Sequence, residues 1–404
     1  MNFRALVQTG HWPTLLAAFL YFDMSFMVWV LIGPLAVHIA ADLHLDAAQK
    51  GLMVALPVLA GALLRLPMGI LVDHIGPKRA GLIGQLIVIG ALAWTWLGGL
   101  HTLADVHRLG LLLGVAGASL AVALPLASRW YPPEHQGLAL GIAGAGNSGT
   151  VITALLAPSL ANHFGWNAVF GLALIPLVVT LFAYWALAKE PPLRPPPQRL
   201  RQYLTVLGDA DTWWFMFFYS VTFGGFVGLA SSLVIYFSDQ YGMSPVTAGF
   251  FTAACVLGGS LSRPLGGGIA DRFGGVRALS FFYIAAAGCL AIVSFAPASP
   301  WLAATFIMLG MTALGMGNGS VFQLVPQRFR HEIGVITGLV GMAGGVGGFY
   351  LAASLGWSKQ WTGSYQLGLL MFAALALSAL IGLSAIKRRW RTTWGSPTVT
   401  AARI

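Results

Sequence analysis

Apolar residues fall in twelve long runs separated by short polar stretches, and this pattern fills nearly the whole chain. The runs cover about 13–40, 50–74, 80–99, 108–129, 137–159, 166–188, 212–237, 246–271, 278–297, 301–325, 334–356 and 365–386. Each has roughly the 20 residues a helix needs to cross a ~30 Å hydrocarbon core. The pattern predicts an all-α membrane protein with twelve transmembrane helices. The runs divide six and six around a polar, proline-rich break, KEPPLRPPPQRLRQYLTVLGDAD, at 189–211. This predicts a six-helix bundle over 1–188, a linker over 189–211, a second six-helix bundle over 212–386 and a basic tail over 387–404.

Composition supports the same reading. Hydrophobic residues make up 57% of the chain and charged residues only 8%, against about 25% charged in a soluble domain. The first run begins after only Arg4 and is too long for a signal-peptide core, so it is expected to stay as a spanning helix. Cys255 and Cys289 both fall in predicted spans, so no disulfide framework is expected, and no metal-ligand spacing occurs.

The basic residues set an orientation. With the N-terminus inside, 17 of the 22 Lys and Arg residues fall in the tails and in the loops of that side. Only Lys50, Arg108 and Lys359 fall in the opposite loops. Both termini are therefore expected in the cytoplasm. The net charge of +10 follows from this bias and from anionic lipid headgroups, and no soluble basic face is left for nucleic acid.

Two basic residues remain, Arg65 and Arg263, each inside a span and 198 residues apart. A charge near the bilayer centre costs at least ~2.5–3.5 kcal/mol and so requires a function or a partner. Each is followed eight residues later by an aspartate, Asp73 and Asp271, and six further on by Arg79 and Arg277. The offset also aligns AGAGNSGT (143–150) with GMAGGVGG (341–348), and Glu134 with Glu332. Two halves of the same topology describe parallel repeats, with a substrate site expected between them at mid-depth. Arg65 lies about 12 Å along its helix from Asp73, which puts both arginines near that depth.

The segments GILVDHIGPKR and GGIADRFGGVR resemble the loop signature of the major facilitator superfamily, departing from it at His74 and Val276. Within it the chain resembles the nitrate/nitrite porters. Their glycine-rich motifs look like GIAGAGNSGT (141–150) and GLVGMAGGVGGFYLA (338–352), and their two substrate arginines fall on Arg65 and Arg263. The resemblance implies the two-bundle major facilitator fold in a bacterial cytoplasmic membrane and a monomer. It implies nitrate or nitrite as substrate. No nucleophile–base pair, metal cluster or cofactor motif appears in the chain, so no enzymatic activity and no cofactor are expected.

Planar guanidinium forks suit a planar oxyanion, the alternative being arginines held by backbone carbonyls. Two fixed charges exceed the single charge of nitrate, so an acid is expected nearby. Asp23 is the only carboxylate inside a span and is the candidate proton site, its alternative being a fixed counter-ion. Uptake of an anion against a negative interior costs ~2.3 kcal/mol per 100 mV, which favours some coupling for import, and Asp23 as the proton site makes proton–nitrate symport the expected mode. Some members of the family carry an apolar residue at this position and exchange nitrate for nitrite. Asn147 offers N–H donors, or an interhelical hydrogen bond. Tyr219 and Phe223 share a helix face and match the family's aromatic contacts to the anion. Asn318 is a further polar candidate, and the run LLLGVAGASLAVALPLA lacks the family's fourth-helix aromatic. Gly144, Gly146, Gly344 and Gly345 are expected to let helices pack closely and slide. Asp73, Arg79, Asp271 and Arg277 are expected to latch cytoplasmic helix ends. The rival functions are nitrate/nitrite antiport, organic-anion or drug efflux, and a membrane-embedded nitrate sensor.

Overall fold

The computed structural model describes residues 9–192, 205–329 and 333–393, with the side chains of 133–138, 333 and 391–393 outside the description. Glu332, the Glu134 side chain, most of the linker and the end of the tail therefore lie outside the described residues. Among the described residues, twelve helices are long and apolar enough to span a membrane. They are α1 (Trp12–Asp42), α2 (Ala47–Ile75), α3 (Pro77–Gly98), α4 (Leu103–Ser128), α5 (Ala139–Phe164) and α6 (Trp166–Leu187), then α7 (Ala210–Tyr241), α8 (Pro245–Phe273), α9 (Gly275–Ser294), α10 (Pro300–Arg328), α11 (Gly334–Thr362) and α12 (Gln366–Trp390). No strand occurs among the described residues. The outer faces expose Leu97, Phe182, Phe281 and Ile381, as expected where hydrocarbon is the solvent.

The repeat survives in three dimensions. α2 and α8 are both 29 residues long and start and stop at positions offset by the same 198 residues. α2 opens on a capping box, with Asp46 and Gln49 satisfying each other's backbone N–H groups. Gly76 and Gly274 close the two helices at φ +92° and +96°, a conformation strained for any side chain. That explains the glycine in both loop motifs, where the chain turns at once into α3 and α9.

Three helices of the first half break at mid-span, a feature the hydrophobic pattern does not reveal. α1 breaks between Trp29 and Ile32, α4 between Gly117 and Leu120, and α5 passes through a 3-10 turn at Ala145–Ser148. Each break frees backbone groups from the helical ladder. Leu31 N–H bonds to the Val28 carbonyl, which releases Met27 O to accept from Thr153 Oγ1 at 2.5 Å. Ala121 N–H bonds to Ala118 O, which releases Gly117 O. In the second half α7, α8, α10 and α11 run unbroken.

The final helix also departs from expectation. It continues to Thr393, so residues 387–393 extend α12 instead of forming tail. Trp390 is fully buried and donates to Asp211 Oδ1 at 2.8 Å, and Arg389 pairs with the same carboxylate. A buried acid in the first turn of α7 thus holds the basic end of α12 in place.

Candidate functional site

The two arginines sit 18 residues into their helices and meet rings and carbonyls in place of acids. Arg65 is 2% exposed. Its Nε donates to the Gly117 carbonyl freed by the α4 break, at 3.3 Å, and its Nη1 donates to Gly341 O of α11. Its guanidinium lies over the rings of Trp29 (5.7 Å) and Phe223 (5.1 Å). Arg263 is half-buried, donates from Nη2 to the Tyr219 hydroxyl at 3.3 Å, and lies over Phe322 at 5.7 Å. Among the described residues neither arginine forms an ion pair. One buried nitrogen of each has no partner, Arg65 Nη2 and Arg263 Nη1. An unmet buried donor costs ~1–3 kcal/mol, more when charged, so two such donors favour an anion that accepts from both.

The rings between them are locked. Tyr219 and Phe223 stack at 5.1 Å with 6° between planes, and Phe322 meets Tyr219 edge-on at 4.9 Å. Because the Tyr219 oxygen accepts from Arg263, its own O–H remains a donor. Gly344 leaves room for the stack, since a Cβ there would lie 2.6 Å from Tyr219 Cδ1 and 2.9 Å from Phe223 Cδ1. Asn147 and Asn318 are buried, and each has an Oδ1 without a partner. Asn318 precedes Gly319, where a Cβ would come within 2.3 Å of the Arg263 carbonyl. The turn carrying Asn147 packs against both α1 and α8.

Asp23 is 5% exposed, and its Oδ1 accepts from Ser148 Oγ at 2.7 Å. It forms no ion pair with Arg65 or Arg263, so it is not a directly paired counter-ion in this conformation. Asp73, Arg79, Asp271 and Arg277 lie at the basic ends of their helices, away from the arginines. There Asp73 accepts from Arg129 at 3.1 Å, and the Arg79 backbone N–H donates to Glu190 at 3.2 Å. Three neighbours of these residues carry no signal of their own in the sequence pattern: Trp29 and Phe322, which lie against the arginines, and Ser148, which touches Asp23. Trp29 lies against α4, whose own run LLLGVAGASLAVALPLA has no aromatic. Its ring fits a slot between Gly61 and Gly117, and its Nε1 donates to Pro57 O at 2.7 Å. Ser148 had one signal, its place directly after Asn147.

The glycines show which side is closed. On the side opposite the basic loops, Gly51 meets Gly356, Gly249 meets Ala154 O, and Gly345 meets Ala62, all closer than a Cβ would allow. There Lys50 pairs with Asp239 at 2.7 Å, Tyr365 donates to the same oxygen at 2.9 Å, and Ala47 N–H donates to Gln360. On the basic side, a Cβ at Gly69, Gly141, Gly268 or Gly338 would meet nothing within 4 Å. The first and last six helices are pressed together beyond the arginines and splayed below them. Gly144 departs from its expected packing role. It too faces nothing within 4 Å, because it borders the break in α5 on the open side. Gly146, Gly344 and Gly345 are all in tight contact.

Sequence and structure comparisons agree on the kind of molecule. The chain matches the Major Facilitator Superfamily model over residues 15–352. It is 35% identical to the probable nitrate/nitrite transporter NarK2 of Mycobacterium tuberculosis, with 88% of this chain and 91% of that protein covered. It is 31% identical to a nitrite extrusion protein of Bacillus subtilis (88% and 90% covered), and 28% identical to a probable nitrate/nitrite antiporter, NarK1, of Thermus thermophilus (88% and 87% covered). Among solved structures, an inward-facing bacterial homolog of the human lysosomal transporter Spinster matches with a TM-score of 0.72. It is 19% identical, with 98% of this chain and 100% of that chain covered.

Proposed function

The chain belongs to the nitrate/nitrite porters of the Major Facilitator Superfamily, and from that premise we propose that it imports nitrate, with nitrite as a second substrate, by proton-coupled alternating access. The observation that carries this reading is the pair of intramembrane guanidiniums, each with one unpartnered buried nitrogen beside a locked aromatic stack. A planar anion bridging the two forks gives both free donors an acceptor, and the phenol of Tyr219 adds a third. Asn147 and Asn318 supply buried amides whose N–H groups are further donors to the anion. The crowding of rings and of the Gly341 carbonyl around Arg65 favours a small inorganic anion over the larger organic anions of an efflux carrier.

The basic side is the cytoplasm under the positive-inside rule, with both termini there. This conformation is then open inward, and the two six-helix bundles rock about the site to reach the outward-open state. Import of a lone anion runs against the membrane potential at ~2.3 kcal/mol per 100 mV. Protons offset that cost, and Asp23 binds them. In proteoliposomes, parent protein accumulates nitrate under an inward proton gradient while Asp23→Asn does not. Equal gradient-driven uptake by both would remove Asp23 from the mechanism. Nitrate/nitrite exchange is the second reading, favoured by the antiporter name of the Thermus thermophilus relative. Counterflow at zero pH gradient separates them: nitrite-accelerated nitrate flux with no proton movement supports exchange.

A further inference from the structure

The break in α5 places the hydroxyl that donates to Asp23 and a site amide on adjacent residues, Ser148 and Asn147. Residues Ala145–Ser148 form a 3-10 turn between two α-helical stretches of one span. Short 3-10 insertions inside helices mark hinges, because the tighter winding has poorer hydrogen bonds and converts readily to α. In that winding successive side chains point ~120° apart, so Asn147 and Ser148 address different neighbours. Ser148 Oγ donates to Asp23 Oδ1 at 2.7 Å. Asn147 is 2% exposed with Oδ1 unpartnered. The turn packs against α1, which carries Asp23, and across the bundle boundary against α8, which carries Arg263.

The glycines in and beside the turn fix one edge of it and leave the other free. A Cβ at Gly146 would lie 2.9 Å from Asp23 N, and one at Gly149 would lie 1.9 Å from Asp23 O. The turn's backbone is therefore pressed onto α1 at the acid itself. Gly144, on its other side, has nothing within 4 Å. Among the described residues of the helices packed on the Trp12–Trp29 segment, α2 alone brings a charge to mid-depth, Arg65. Their other charged or titratable groups lie toward helix ends: Lys50, Asp73 and His74 on α2; Asp105, His107 and Arg108 on α4; Glu134, His135 and His163 on the α5 span; Tyr184 on α6. Tyr21 lies on the segment itself.

We propose that the Ala145–Ser148 turn couples proton to anion, with Ser148 as the positioning residue that relays the state of Asp23 to Asn147. This rests on the reading of Asp23 as the proton site. With Asp23 ionised, the charge-assisted bond from Ser148 holds the turn in its 3-10 form. When a proton binds a carboxylate oxygen, that bond falls to roughly half its strength. The turn then relaxes toward the open side, and Asn147 moves with it relative to Arg263. The proton leaves from the same oxygen, and no other covalent bond changes.

Ser148→Ala, Ser148→Cys and Ser148→Thr are compared with parent and Asp23→Asn in proteoliposomes, by gradient-driven nitrate accumulation and by nitrate/nitrate counterflow at zero pH gradient. Ser148→Ala is expected to keep counterflow within about twofold while gradient-driven accumulation falls about tenfold, the worth of one hydrogen bond to a charged group. Ser148→Thr, which keeps the hydroxyl, restores coupling. Ser148→Cys keeps the volume with a weaker donor and falls between, which preserves the test if the alanine variant fails to fold. Parent-like coupling in Ser148→Ala or Ser148→Cys, with Asp23→Asn uncoupled, overturns the relay but leaves Asp23 as proton site. Parent-like coupling in Asp23→Asn overturns both.

Discussion

Gly344→Ala is a single-methyl probe of the proposed anion site. The new Cβ would lie 2.6 Å and 2.8 Å from Tyr219 Cδ1 and Cε1, and 2.9 Å from Phe223 Cδ1. Carbon atoms settle at about 3.5–4.0 Å, so the ring pair must shift by roughly 1 Å. Neither ring has space: Tyr219 and Phe223 are 0% and 1% exposed, one edge-on to Phe322 and the other beneath Arg65. Overpacking of this kind costs ~1–3 kcal/mol. A 1 Å displacement also breaks the 3.3 Å bond between Tyr219 and Arg263. We expect a lower Tm and a loss of nitrate affinity of about tenfold to a hundredfold, at 1.36 kcal/mol per factor of ten. The control lies six residues earlier on the same helix. A Cβ at Gly338 meets nothing within 4 Å, and Gly→Ala in a helix interior is worth up to ~1 kcal/mol of added stability. Thermal unfolding in detergent with and without nitrate reads both variants. A Gly344→Ala protein with parental Tm and nitrate affinity refutes the locked stack, as does equal destabilisation by Gly338→Ala.

Trp29→Phe keeps a ring over Arg65 but loses the bond to Pro57 O, so transport KM for nitrate should rise several-fold, about 1 kcal/mol. Trp29→Ala empties the slot at a cost of ~3–5 kcal/mol, and parental KM and Tm in that variant exclude a role in holding Arg65. Lys50→Met removes the largely buried bridge to Asp239 that ties the two bundles on the closed side. Breaking a pair so shielded from water costs more than the ~1 kcal/mol of a surface bridge, so the outward-open population should rise by at least about fivefold. Distances between spin labels on the outer ends of α2 and α11 measure it, and an unchanged distribution removes the latch.

Much of this molecule was legible in its sequence, for identifiable reasons. Runs of apolar residues mark spans because a bilayer tolerates little else, and the runs at 50–74 and 246–271 lie within a few residues of Ala47–Ile75 and Pro245–Phe273. Arg65 and Arg263 were legible because a charge at depth is costly and these two repeat. The breaks in α1, α4 and α5 were not, because they depend on partners from other helices: Arg65 takes Gly117 O and Thr153 takes Met27 O. Trp29 and Phe322 carried no signal, since an aromatic in a membrane span is ordinary until its neighbour is known to be a guanidinium. Lys387 to Arg389 read as tail by charge, yet the buried Asp211 keeps that stretch helical. Gly144 shared the composition of its packed neighbours, and only the open side of the bundle sets it apart.

The central claim is that Arg65 and Arg263 grip a planar anion through two forks. Lysine keeps the charge but offers one nitrogen where Arg65 uses three, so carbonyls of Gly117 and Gly341 compete with the anion for it. Nitrate uptake into proteoliposomes under an imposed pH gradient, with Arg65→Lys and Arg263→Lys beside the parent, measures this directly. The account predicts a fall of at least about tenfold in kcat/KM for each variant. Uptake by both variants at the parental rate and KM would contradict it.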